Sequence, residues 1–233
     1  MPDHATLPIY VQLSELLIRE IAAGRYIEGD KLPPERDLAA SLGTSVGTLR
    51  KALAELTARG FLERRQGSGN YVRIPDHPDN VYALFRVELL EGGGLPTAEV
   101  LSVDRRSKPR DLPHFGPSAE GHRIRRLRSL SGQVAVLEEI WLDGDRTGTL
   151  SAADLSESLY LHYRTKLGFW VSQAEDRVGL APVPDWAPPT FGVATGAPCV
   201  CITRVSWDHR GQAVEASRNW IDTRVATYVA RIR

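Results

Sequence analysis

Glycines and prolines interrupt residues 1–75 at such short intervals that only short helices and a hairpin fit between the breaks. Ile9, Leu13, Leu16, Leu17 and Ile21 recur at helical spacing, and Gly24 stands where that helix must end. Pro33-Pro34 opens a second helix, predicted over Glu35 to Leu42, because first-turn amides lack partners that proline would forfeit; Gly43 closes it. The hydroxyls of Thr44 and Ser45 are placed to cap a third helix that runs to Arg59, with Gly60 as its stop. Leu49, Ala52, Leu53 and Leu56 form its inner stripe, which leaves Thr48, Arg50, Lys51 and Glu55 on the outer side. Phe61 to Arg64 and Asn70 to Arg73 alternate like strands about the flexible, basic tip Arg65-Gln66-Gly67-Ser68-Gly69. Three helices followed by a hairpin predict a winged helix-turn-helix.

Charge is uneven along this segment, although the 233-residue chain balances 29 basic against 29 acidic side chains. Residues 1–43 hold four Lys/Arg against seven Asp/Glu, whereas 44–73 hold six against two. The second block is a candidate polyanion face. A helix entering the major groove reads base edges with its first turn, where Ser45, Thr48 and Arg50 fall. Arg36, one turn into the preceding helix, is placed to meet a phosphate or a guanine edge. Arg65, Gln66 and Gly67 form a wing tip whose glycines allow close approach to a minor groove. The alternative for all of these residues is the solvated surface of a small helical domain.

Pro75-Asp-His-Pro78-Asp-Asn80 joins prolines to turn formers, giving a DNA-binding domain over 1–75, a linker over 76–81 and a second domain over 82–233. Beyond the linker the periodicity changes. Val100 to Val103, Ile124 to Leu130, Val134 to Leu142, Val200 to Trp207 and Val214 to Ile221 are β-branched or alternating, and turn residues bound them. A helix is predicted over Ser156 to Leu167, ended by Gly168, and another over Asp185 to Phe191. The fold class is therefore α+β, with a C-terminal antiparallel sheet. Alternation along 124–130 places Arg126 and Arg128 beside Ile124 and Leu130, on the side that ought to be apolar. Two inward guanidiniums need a partner, either a ligand carboxylate or phosphate, or a carboxylate of the chain itself. A two-residue turn at Ser131-Gly132 brings Glu139 round to them, and a three-residue loop brings Glu138.

Several classes are excluded. No apolar run approaches the roughly 20 residues of a bilayer helix, and Met1 to Tyr10 lacks a charged start followed by an apolar stretch, so no membrane is expected and the cytoplasm is the expected location. Cys199 and Cys201 are one residue apart, which rules out a disulfide framework; they are either buried structural thiols or half of a zinc site. His77, His114, His122, His162 and His209 show no ligand-like spacing. With no nucleophile beside an identifiable base and no phosphate-cradling glycine motif, no catalytic residue, metal or cofactor is expected.

The run Gly29-Asp-Lys-Leu-Pro-Pro-Glu-Arg36-Asp-Leu-Ala-Ala-Ser-Leu-Gly43-Thr-Ser45, followed by Thr48-Leu-Arg50 and by Gly60-Phe-Leu-Glu-Arg-Arg-Gln-Gly67-Ser-Gly-Asn-Tyr-Val72, resembles the DNA-binding domain of the GntR family of bacterial transcription regulators. That resemblance implies Arg36, Ser45, Thr48, Arg50, Gln66 and Gly67 as DNA-contacting positions. Val46-Gly47 departs from it, since the family commonly carries basic and hydroxyl residues there; valine against a thymine methyl is one substitute contact. Gly94-Leu-Pro-Thr97-Ala-Glu-Val-Leu101, Ile124-Arg-Arg126-Leu-Arg128, Val134-Ala-Val-Leu-Glu138, Ser158-Leu-Tyr160 and Gln212-Ala-Val-Glu215-Ala-Ser-Arg-Asn-Trp220 resemble the UTRA domain of the HutC-type subfamily. This implies a chorismate-lyase-like fold that binds a small effector, favours Glu138 over Glu139, and adds Ser158, Glu215 and Trp220 to Arg126 and Arg128 as effector contacts. Ile221-Asp222-Thr-Arg224 departs from the subfamily pattern. The implied function is a homodimeric regulator, most often a repressor, that binds a palindromic double-stranded operator and responds to a small anionic metabolite. A ligand-independent DNA binder and a lyase-type enzyme are the alternatives.

Overall fold

A computed structural model describes residues 8–22, 24–74, 85–155 and 158–231. The described residues form two compact units, one built on 8–86 with the short stretches 93–95 and 228–231, the other on 87–92 and 96–227. The expected linker at 76–81 and His77 lie outside the described residues, as do Met1 to Leu7.

The first unit contains α1 (Ile9–Ala22), α2 (Glu35–Ser41), α3 (Val46–Ala58), β1 (Leu62–Arg65) and β2 (Gly69–Val72). Each element supplies its apolar stripe to one core: Leu17, Ile18 and Ile21 from α1, Leu38 from α2, Leu49, Leu53 and Leu56 from α3, with Phe61, Leu62 and Val72 from the hairpin region. Ile9 is a correction to the expected stripe. As the first residue of α1 it lies beyond the core and is 55% exposed. The hairpin pairs Leu62 with Val72 through Arg65 with Gly69, one residue later in the first strand than alternation suggests. Gly67 takes φ +72° at the tip, a conformation that favours glycine.

The second unit contains β3 (Val87–Leu89), β4 (Pro96–Ser107), β5 (Glu120–Leu130), β6 (Gln133–Asp143), α4 (Leu159–Lys166), β7 (Val171–Pro182), β8 (Pro198–Asp208), β9 (Ala213–Ile221) and β10 (Ala226–Tyr228). A six-stranded antiparallel sheet runs in the order β4-β5-β6-β9-β8-β7, and β3 pairs with β10. The helix expected over Asp185 to Phe191 is instead a single 3₁₀ turn, Pro189–Phe191, because Pro188 and Pro189 remove the amide donors a longer helix needs. The helix expected from Ser156 begins at Leu159, capped by Ser158; residues 156–157 lie outside the described residues.

The β5–β6 hairpin decides which residues share a face. Its turn has two residues, Ser131 (φ 47°) and Gly132 (φ 79°), between paired Leu130 and Gln133. That turn length alone predicts Glu139 opposite the arginines, and the structure corrects this. Arg128 pairs with Val136 while Ser129 pairs with Val134, so Ala135 is an extra residue, a bulge that advances the register by one. Glu138 therefore sits directly opposite Arg126. One cross-strand row of the sheet reads Val100, Arg126, Glu138, Asn219, Ile202 and Val178. The neighbouring row on the other face reads Leu127, Leu137, Trp220, Cys201 and Gly179, and Leu127, Leu137, Trp220 and Cys201 pack with Val183, Phe191 and Cys199.

Candidate functional site

In the first unit, Ser45 is the N-cap of α3. Its Oγ accepts from the Thr48 amide at 3.1 Å and lies 2.8 Å from Thr48 Oγ1, so two of the expected reading residues order each other at the helix start. Ser45 is exposed and Thr48 half-buried. The Arg50 side chain is 66% exposed, and its Nε donates to Glu35 Oε2 at 2.6 Å, at the first residue of α2. Arg36, Lys51 and Arg64 are exposed and form no ion pair among the described residues. Val46 packs half-buried against the core, leaving Gly47 as the exposed member of that pair.

Gln66 and Gly67 are exposed at the wing tip. Arg65 stacks 4.2 Å over the Tyr71 ring and bonds Glu63 at 3.0 Å; Arg73 bonds the same carboxylate. Hydrogen bonds from Arg65 and Arg73 hold the Glu63 carboxyl below the usual carboxylate range. A cleft of ≈ 690 Å³ opens between the wing and the start of α2, lined by Lys31, Glu35, Arg64, Gln66 and Asn70 among others. Sequence reasoning did not single out Lys31 or Glu35, and it held Arg64 only as one of the six cations of the 44–73 block. Lys31 reaches this edge through a bridge to Tyr71, a non-local contact without a local signal.

In the second unit, α4 covers the sheet face that carries Glu215, through its tyrosine hydroxyls. Arg126 Nη2 meets Glu138 Oε2 at 2.7 Å, and Arg128 Nε meets Glu138 Oε1 at 2.8 Å. All three residues are at most 5% exposed. Burial pushes the Glu138 carboxyl up, but the charges of Arg126 and Arg128 outweigh it and hold the group ionised, below its ordinary value. Burial depresses the Arg126 guanidinium more than Glu138 raises it. This pairing is the arrangement expected of an internal ion-pair network, and it also gathers two guanidinium forks of the kind that bind carboxylate or phosphate.

Glu215 lies on the same face as Arg126, since its register partners Leu142 and Ser206 alternate with those of Glu138. It accepts from the Tyr163 hydroxyl at 2.7 Å, the Ser206 hydroxyl at 3.1 Å and the Tyr160 hydroxyl at 3.2 Å. Burial is the dominant influence and raises its carboxyl above the ordinary value despite those donors. Arg204 lies against Tyr160 and is held by both oxygens of Asp176, at 2.6 and 2.7 Å. Ser158 is 3% exposed and accepts from the Leu161 amide as the cap of α4. Tyr160, Tyr163, Ser206 and Arg204 were not legible as site residues.

Trp220 is not brought together with these residues. It occupies the opposite face, edge-on to Trp186 at 5.9 Å, with Nε1 donating to Pro182 O. Cys199 and Cys201 lie in the same apolar cluster, where burial pushes both thiols up, Cys201 to about 11. Among the described residues no group of three or more His, Cys, Asp or Glu is placed to hold a metal, so a zinc site at this pair lacks further ligands there. No described helix is long and apolar enough to cross a membrane.

A capped helix start exposed beside a basic wing, joined in one chain to an antiparallel domain with a buried polar face, defines a two-domain transcription regulator. Residues 9–72 match the family model for bacterial regulatory proteins of the gntR family, and 91–225 match the UTRA domain. The chain is 58% identical over 228 residues to the HTH-type transcriptional regulator SmoD of Agrobacterium fabrum, covering 98% of this chain and 97% of that protein. It is 25% identical over 218 residues to the HTH-type transcriptional repressor NagR of Bacillus subtilis, covering 91% and 90%. Two solved structures share the fold: possible transcriptional regulator YydK of Bacillus subtilis (TM-score 0.54, 21% identity, covering 96% of this chain and 99% of that one) and PhnF of Mycobacterium smegmatis (TM-score 0.51, 20% identity, 97% and 99%). The chain belongs to the GntR family and carries a UTRA domain; it is a transcription regulator and not an enzyme.

Proposed function

We propose that this regulator is a homodimeric repressor that binds a palindromic operator and changes its affinity when a small anionic metabolite enters the UTRA domain. The observation that carries the DNA half is the exposed start of α3, where Arg50 stands clear of the core beside capped Ser45 and Thr48. Arg36, Gln66 and Gly67 flank it, and Lys31, Lys51 and Arg64 add cations for phosphates. Two-fold symmetry sets two such helices on half-sites about one helical turn apart. The repressor assignment follows the printed role of the Bacillus subtilis relative.

The effector half rests on the buried face of the sheet. A carboxylate or phosphate of the ligand bonds the Arg126 and Arg128 forks in exchange for part of their pairing with Glu138, while Ser158 and Glu215 contact the rest of the molecule. Coupling of about 1–3 kcal/mol between the sites shifts operator affinity about 5- to 150-fold. Residues 74–81, which join the two domains in sequence, transmit this change; 75–81 lie outside the described residues.

The test is a fluorescence-anisotropy titration of the full chain on promoter fragments neighbouring its own gene, at fixed salt, with and without each member of a panel of anionic metabolites. A fragment bound specifically, and released by one compound, is the expected result; no salt-resistant binding to any fragment overturns the DNA reading. The closed pairing of both arginines to Glu138 favours one second reading, a structural ion trio in a ligand-independent DNA binder. A thermal-shift screen separates the two, because a ligand of the folded state raises the midpoint and a structural trio yields no hit.

A further inference from the structure

The sheet face that carries Trp220 holds two apolar clusters with a polar row between them. Leu127, Leu137 and Trp220 belong to one cluster, Trp141 and Ala216 to the other. Between the two, cross-strand register lines up Ser102, Arg125, Glu139, Arg218, Thr203 and Arg177 on that same face. Apolar side chains in this row would fuse the clusters into one core, whereas charges partly withdrawn from water carry a desolvation cost. The row therefore calls for a use other than packing.

Its two inner arginines are held in different ways. Arg125 is fixed: Nε and Nη2 both meet Glu139 Oε2 at 2.8 Å, and the guanidinium stacks 4.3 Å over the Trp186 ring. The other Glu139 oxygen accepts from Trp141 Nε1 at 3.3 Å. Arg218 stands directly opposite Glu139 in the register, yet its Nη2 reaches Asp111 instead, at 2.7 Å from Oδ2 and 2.9 Å from the backbone oxygen. The Asp111 side chain is 72% exposed and that of Arg218 only 22%, so a carboxylate at the rim holds an inner cation. Such a rim carboxylate exchanges for another anion at small cost. Thr203, the register neighbour of Arg218 on β8, adds a half-buried hydroxyl.

We propose that this row is a second anion site, on the reverse of the Arg126–Glu138 face, for a small carboxylate or phosphate that carries a flat apolar body. The anionic group replaces the Asp111 carboxylate on the Arg218 fork and accepts from the Thr203 hydroxyl. Arg125 and Glu139 neutralise each other, which leaves Arg218 as the charge an arriving anion meets. The body packs against Leu112 and Trp186, which the segments 108–118 and 183–193 bring to the two clusters on either side. Consecutive residues supply the two faces, Arg125 beside Arg126 and Glu139 beside Glu138, but the sites share no side chain. The proposal stands apart from the operator and effector readings.

Arginine footprinting of the full chain with phenylglyoxal tests this, with phenyl phosphate as the probe and mass spectrometry reading each residue. Saturating phenyl phosphate slows modification of Arg218 about tenfold or more and leaves Arg177, the exposed end of the same row, unchanged. Arg126 and Arg128 are too buried to react, so the effector face does not enter the measurement. Asp111→Asn alters only a rim side chain and lowers the probe concentration that halves the Arg218 rate by about 2- to 5-fold. Inorganic phosphate, which lacks the flat body, protects only at higher concentration. An Arg218 rate that phenyl phosphate slows no more than that of Arg177 overturns the site. An Asp111→Asn chain protected no more readily than the wild type overturns the exchange, and equal protection by inorganic phosphate overturns the flat body. Operator binding and its release by metabolites are measured separately, so failure here leaves those readings standing.

Discussion

In the winged unit Arg50 meets Glu35 and Arg65 meets Glu63 at the surface, whereas in the antiparallel unit Arg126 and Arg128 meet Glu138 with each residue at most 5% exposed. Exposed pairs gain little, because water and salt already solvate both partners. A phosphate can therefore take a surface guanidinium from its carboxylate at small cost, which suits a face that must bind and release DNA. Buried pairs behave otherwise. Removing one partner strands a charge in a low-dielectric interior, so such a trio holds its geometry and can shape a ligand site. Depth, and not residue type, separates the two uses.

The harshest way to break this contrast is Glu138→Ala, which leaves two buried guanidiniums without that carboxylate. It is predicted to cost about 3–5 kcal/mol of stability, read from urea midpoints. A loss below about 1 kcal/mol would move the trio into the surface class. Arg50→Ala comes next, with unfolding unchanged and operator affinity reduced by about 1–3 kcal/mol for a lost bidentate base contact. Equal losses on operator and unrelated DNA would show that Arg50 serves phosphate alone.

A third prediction sharpens the comparison within the buried site. The folded-state value of Glu138 is depressed, so its contribution is present above the ordinary carboxylate value and is lost as pH falls through the depressed one. That of Glu215 is raised, so its contribution is complete below the ordinary value of 4.5 and is lost as pH rises through the higher folded-state value. Glu215→Gln removes the second slope. The variant's melting temperature should fall less than the wild type's as pH rises above 4.5, and parallel curves would contradict the assignment. The smallest effect is expected of Glu63→Gln at the wing, where Arg65 and Arg73 share an exposed carboxylate. Its melting temperature should match the wild type's at physiological salt, in keeping with the exposed class.

Much of the winged unit was legible because its signals are local. Pro33-Pro34, Gly43, Ser45 and Gly60 each act on the helix beside them, and α2 and α3 begin where those residues put them. Strand β7 gave no such signal, since exposure on both faces leaves Glu175, Asp176, Arg177 and Gly179 without an apolar alternation to interrupt. The inward arginines were readable from parity along β5, but their partner was not, because it depends on a single bulged residue. Parity also separates Glu215 from Trp220, which lie five positions apart on one strand and so on opposite faces. Resemblance grouped them; alternation parts them. Tyr160 and Tyr163 reach the site only through packing of α4 on the sheet, where they meet Ser206 and Glu215 across 46 to 55 residues of chain.

Ala135 has a genetic corollary. Removing its codon keeps the reading frame and takes out only the unpaired residue, so Ser129–Val134 and Arg128–Val136 become consecutive pairs and Glu138 still stands opposite Arg126. Conservative exchanges at this position, Ala135→Ser or Ala135→Gly, preserve the count and with it the orientation. The bulge thus absorbs a surplus residue without deciding which glutamate meets Arg126 once that residue is gone.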